Sequence, residues 1–131
     1  MAIETPLAPW APRVLSVLRI MTGLLLLQHG TAKILGIPPM ANFANLQLTS
    51  LIGIAGLIEL TGGVLFIIGL FTRPTAFILS GFTAVAYFYA HAAKSFYPIV
   101  NGGELAALYS FVFLYFIFAG PGPWSVDAAR K

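Results

Sequence analysis

From residue 14 onward, apolar side chains run with few interruptions to about residue 35, and the pattern recurs at about 50–71, 75–94 and 103–119. A helix that crosses a bilayer needs about 20 mostly apolar residues, at roughly 1.5 Å of rise each. The runs are separated by helix breakers. Gly36 with Pro38-Pro39 closes the first, and Arg73-Pro74 stands between the second and third. Pro98 with Asn101-Gly102-Gly103 precedes the fourth, and GPGP at 120–123 ends it. No run alternates with period two, which excludes a membrane β-barrel. Short connections make neighbouring helices antiparallel. The pattern predicts an all-α integral membrane protein, a four-helix up-down bundle forming one domain over residues 1–131. The longest connection, 36–49, carries Met40, Phe43, Leu46 and Leu48 and is expected to fold back as a cap on the outer face.

Composition agrees. Of 131 residues, 59% are hydrophobic and 8% charged, against roughly 25% charged in a soluble domain. Four spans put both termini on one side together with the connection between the second and third. That side holds Arg13, Arg19, Arg73, Arg130 and Lys131, whereas the other has Lys33 and Lys94. The positive-inside rule then places both termini in the cytoplasm of a bacterial or archaeal cell, with the protein in its cytoplasmic (inner) membrane. Trp10 and Trp124 are the expected anchors at the cytoplasmic interface. The start, MAIETPLAPWAPR, has an early Glu4 and no basic leader, so the first span is read as retained.

Against this background the polar residues are unevenly placed. His29 lies about seven residues, roughly 10 Å, below the outer end of the first span, and Glu59 about nine residues, roughly 13 Å, below that of the second. His91, Lys94 and Glu104 fall on the same outer side. On a helical wheel Arg19, Thr22, His29 and Lys33 share an arc of about 80°. Ser80, Thr83, Tyr87, His91 and Lys94 line one face of the third span, and Glu104, Phe111 and Tyr115 one face of the fourth. Glu59 shares its face with Ala55, Gly56, Gly62 and Gly63, and small residues mark close helix approach.

Each of these groups has a structural reading as well. Lys33, Lys94, Glu104 and Arg19 sit where a long side chain reaches water, and Tyr87 and Tyr115 suit an aromatic core with a bonded hydroxyl. Glu59 and His29 are too deep and too short for that. An ionised group near the bilayer centre costs about 2.5–3.5 kcal/mol on the lenient insertion scale. Glu59 must therefore pair with His29 or Lys33, or be protonated. The candidate ligand site is an outward-opening polar pocket bordered by His29, Lys33, Glu59, His91 and Glu104, closed below by Tyr87 and Tyr115. His29, His91 and Lys33 would offer donors to a quinone headgroup or similar small molecule.

The chain resembles the DoxX family of small four-helix membrane proteins along almost its whole length. The resemblance is carried by LRIMTGLLLLQHGTAKILG, GLIELTGGVLFIIGLFTRPTA, AHAAKSFYP, GGELAALY and GPGPWSVD, in that order. It implies association with oxidoreductase complexes, since the family takes its name from a membrane subunit linked to thiosulfate:quinone oxidoreduction. It points to His29, Lys33, Glu59, Arg73, His91 and Glu104, without assigning a catalytic role to any of them. Arg73 also has a plain topological explanation, as a positive-inside anchor.

The chain has no cysteine, so dithiol exchange, iron–sulfur clusters and thiolate metal sites are excluded for it alone. No pair of metal ligands sits at helical spacing on one element, and no metal is expected. No phosphate loop or dinucleotide fingerprint is present, and the net charge of +3 reflects topogenic residues, not nucleic-acid binding. The reading is a small membrane subunit of a quinone- or small-molecule-linked oxidoreductase system, with quinone the one cofactor class it allows. The alternative is a non-catalytic anchor or assembly protein for soluble redox partners, its polar cluster purely structural. A transporter is disfavoured, because four helices make a thin wall and no inverted repeat is visible. Lipid and soluble or membrane redox proteins are the implied partners, and an oligomer is compatible with the sequence.

Overall fold

The computed structural model describes residues 5–131; Glu4, which argued against a leader, lies outside them. The described residues contain helices and turns and no strand. The helices are α1 (Ala11–Ile34), α2 (Leu51–Ile68), α3 (Thr72–Ala90), the short α4 (Pro98–Asn101), α5 (Glu104–Ala119) and the short α6 (Val126–Ala129). With flanking turns, Ala8–Ile34, Leu51–Ile68 and Thr72–Lys94 are long and apolar enough to cross a membrane. The fourth expected span is shorter. Gly103 and Gly120 confine α5 to 16 residues, about 24 Å of helix.

Two other boundaries differ from the sequence expectation. Arg73-Pro74 does not separate helices but lies in the first turn of α3, where a proline's missing N–H costs nothing. The break before it is made by Gly69, left-handed at φ +70°, whose N–H and that of Leu70 both bond the Leu65 carbonyl. At the other end, α3 stops at Ala90 and Lys94 belongs to a separate turn. His91 and Lys94 therefore do not continue one helical stripe.

The described residues form two compact units, 5–70 with 121–131, and 71–120. In the first, α1 and α2 pack antiparallel through glycines. A Cβ at Gly30 would come within 2.5 Å of the Leu60 nitrogen, and one at Gly63 within 3.0 Å of the Leu27 Cα. The backbones touch at these points because there is no side chain between them. Ser50 caps α2 by accepting from Gly53 N–H at 3.1 Å. In the second unit α3 and α5 run antiparallel, joined midway by reciprocal bonds. Ser80 Oγ donates to the Ser110 carbonyl at 2.8 Å and Ser110 Oγ to that of Ser80 at 3.0 Å. The buried faces carry Phe66 and Leu26 in the first unit and Leu79, Phe113 and Phe116 in the second. Large apolar side chains elsewhere are bare: Phe77 is 68% exposed, Phe88 70% and Phe118 74%. Exposed apolar side chains in such number suit lipid better than water.

Candidate functional site

Glu59 sits on the glycine-lined face of α2, 5% exposed, and the close approach of α1 brings two basic groups to it. Lys33 Nζ is 2.5 Å from Glu59 Oε1, and His29 Nδ1 is 4.0 Å from Oε2. The absence of a side chain at Gly56 makes the arrangement possible, since a Cβ there would lie 2.8 Å from Lys33 Cβ. Lys33 has a third neighbour, the ring of Phe43, whose centroid is 5.5 Å from Nζ. Phe43 ends a single 3-10 turn, Ala41–Phe43, so the 36–49 connection does fold back over the end of α1. Beneath it lies a cavity of about 470 Å³ whose lining includes Lys33, Leu35, Pro39, Met40, Phe43 and Leu46. The pair expected for Glu59 is thus present, and its lysine, Lys33, borders a cavity made by the loop.

The second unit gathers two more of the expected site residues, Tyr87 and His91, around one that the sequence marks only as a helix breaker. Asn101, 2% exposed, donates through Nδ2 to the Tyr87 hydroxyl oxygen and to the Ser95 carbonyl, both at 3.0 Å. Its Oδ1 accepts from Gly103 N–H at 2.7 Å. The Asn101 backbone carbonyl is 3.1 Å from His91 Nδ1. A carbonyl only accepts, so Nδ1 carries the proton and a neutral His91 is left with an acceptor at Nε2. The donor expected from His91 towards a ligand carbonyl is spent inside the protein. Gly103 makes room for this cluster, as a Cβ there would meet the Tyr87 ring at 2.7 Å.

Glu104 and Tyr115 are not gathered into the Asn101 cluster. Glu104 opens α5 exposed to solvent, and Tyr115 is 59% exposed on a face distinct from that of the buried Tyr109, Phe113 and Phe116. Among the described residues no three histidine or carboxylate side chains converge as a metal-ion set.

Two arginines do something the sequence reading did not foresee. Arg19, expected to reach headgroups, is fully buried. Its guanidinium donates to the carbonyls of Phe66 at 2.9 Å, Ile67 at 3.3 Å, Trp124 at 2.6 Å and, very closely, Pro121. It satisfies the open carbonyls at the C-terminus of α2 and fastens the GPGPW segment there. Trp124 N–H is also bonded to Ser16 Oγ at 3.1 Å. Arg73 does the same for α5, donating to the Ile117 and Phe118 carbonyls at 2.8 and 2.7 Å. Cations belong at helix C-termini, where carbonyls are unpaired and the dipole is negative.

The family model described as DoxX matches residues 14–92, more than half of the chain. The chain belongs to the DoxX family. It is 46% identical over 125 residues to an uncharacterized protein of Haemophilus influenzae, with 92% of this chain and 93% of that one covered. It is 29% identical over 168 aligned positions to an uncharacterized membrane protein of Mycobacterium tuberculosis, covering 97% and 92%. No solved structure matches. The DoxX match takes in His29, Lys33, Glu59, Arg73, Tyr87 and His91, while Asn101, Glu104 and Tyr115 lie beyond it.

Proposed function

We propose that this DoxX protein is a small membrane subunit of an oxidoreductase system that binds a quinone or a similar neutral ring at the Lys33 end of α1. It acts as one domain, a four-helix up-down membrane bundle in the inner membrane, with both termini cytoplasmic and the Lys33 side facing outward. The observation that carries the reading is the cavity under the 36–46 loop. Its volume of about 470 Å³ lies within the roughly 300–1,000 Å³ usual for small-molecule sites. Apolar side chains and polar groups share the lining about equally, with Phe43 offering a ring face. Lys33 has three N–H donors, and one of them suffices for Glu59. Because Glu59 neutralises Lys33, the site favours an uncharged ligand with a carbonyl acceptor over an anion. His29, next to Glu59, gives a route for a proton to or from the carboxylate.

A second reading is favoured by one distance. At 2.5 Å the Lys33–Glu59 pair is closed, as a clasp between α1 and α2 would be, and the protein would then anchor or assemble soluble redox partners. Titration of a short-chain benzoquinone against the parent, Phe43→Ala and His29→Ala proteins in nanodiscs separates the two. The ligand-site reading expects saturable binding that Phe43→Ala weakens about tenfold, or roughly 1.4 kcal/mol. Equal affinity in all three proteins, or none in any, leaves the clasp.

A further inference from the structure

The Tyr87–Asn101–His91 cluster is not used by the site at Lys33, and the partners of Asn101 constrain its hydrogen-bond directions. Asn101 Nδ2 donates to the Tyr87 oxygen at 3.0 Å, so the tyrosine's own O–H points away from that amide. His91 Nδ1–H is taken by the Asn101 carbonyl at 3.1 Å, so its Nε2 presents a lone pair. One buried residue thereby prepares a donor and an acceptor on neighbouring rings, with centroids 6.5 Å apart and planes 32° from parallel. Among the described residues neither the Tyr87 hydrogen nor His91 Nε2 has a hydrogen-bond partner, and both side chains are half-buried.

We infer that Tyr87 and His91 form a binding site for a hydroxyl-bearing headgroup, with Asn101 as its positioning residue. A hydroxyl is the small group that gives a hydrogen bond and takes one. It donates to Nε2 and accepts from the tyrosine, and a carbonyl can satisfy only the second of these. The chemistry fits a phenolic hydroxyl, as in a quinol, and equally an alcohol on a lipid headgroup. The site stands on the second unit alone and does not depend on the cavity at Lys33.

The test uses the full-length protein with ¹⁵N-labelled histidine, in a His29→Gln background that leaves His91 as the single signal. In phosphatidylcholine nanodiscs, which offer no headgroup hydroxyl, His91 is expected as the Nδ1–H tautomer. Methylhydroquinone, or exchange into phosphatidylglycerol nanodiscs, should shift the Nε2 resonance; which of the two does so identifies the source. Tyr87→Phe should keep the tautomer and weaken the responding ligand about tenfold. Asn101→Ala keeps the backbone carbonyl that holds Nδ1–H, so His91 should keep its tautomer, while loss of the amide that orients the Tyr87 hydroxyl should weaken the responding ligand. An Nε2–H tautomer in the parent, or no response to either hydroxyl source, overturns the proposal. So does a Tyr87→Phe protein that responds as the parent does. A benzoquinone result at Phe43 bears on none of these readouts, so the two proposals can fail separately.

Discussion

The Lys33 ammonium and the Glu59 carboxylate are each expensive to remove from water, and each is affordable only because the other is 2.5 Å away. Glu59→Ala leaves a buried ammonium unpaired and should cost about 3–5 kcal/mol. Glu59→Gln keeps a hydrogen-bond acceptor and should cost less. Thermal unfolding in detergent measures both, and two parent-like melting curves would remove the pair from the account. Arg19 makes a sharper case. Its planar fork reaches carbonyls from two segments, and the point charge of a lysine cannot span them. Arg19→Lys should therefore lower the melting temperature almost as far as Arg19→Ala, a pattern that a headgroup-reaching arginine would not give. Glu59 was legible in the sequence because its depth and its glycine neighbours demanded a partner. Arg19 and Asn101 were not, since most of their bonds go to backbone atoms, and every residue carries those. Only the fold shows which carbonyls are left open at a helix end.

At the level of elements, the first two helices were legible to within three residues at each end, because long apolar runs bounded by glycine and proline leave little choice. The later ones were less so. Proline in the first turn of α3 reads as a break and is not one, and α5 loses length to Gly103 and Gly120, whose geometry no hydropathy pattern encodes. The close contact of α1 with α2 gives a direct contrast. Gly30→Ala sets a methyl 2.5 Å from the Leu60 nitrogen, and overpacking of this kind costs about 1–3 kcal/mol. Gly81→Ala meets nothing within 4 Å and removes backbone freedom inside α3, so it should be neutral or stabilising by up to about 1 kcal/mol. Comparing the two melting temperatures checks the packing. If Gly30→Ala is as stable as Gly81→Ala, the helices are not in backbone contact.

For the whole molecule, composition alone decided the solvent, and the ordered motifs pointed to the family. The residues that border the cavity were harder to read, because most of them come from a loop whose path is set by turns and not by periodicity. Orientation has its own check: a reporter fused after Lys131 should be active in the cytoplasm, and activity only on the far side would reverse the assignment. The central claim is that a neutral ring binds beside Lys33 under the 36–46 loop. A photoreactive azidoquinone tests it most directly, with the attached peptide identified by mass spectrometry after illumination in nanodiscs. The account predicts attachment within residues 39–46, competed away by unlabelled benzoquinone. Attachment confined to other segments, or none that competitor removes, would contradict it.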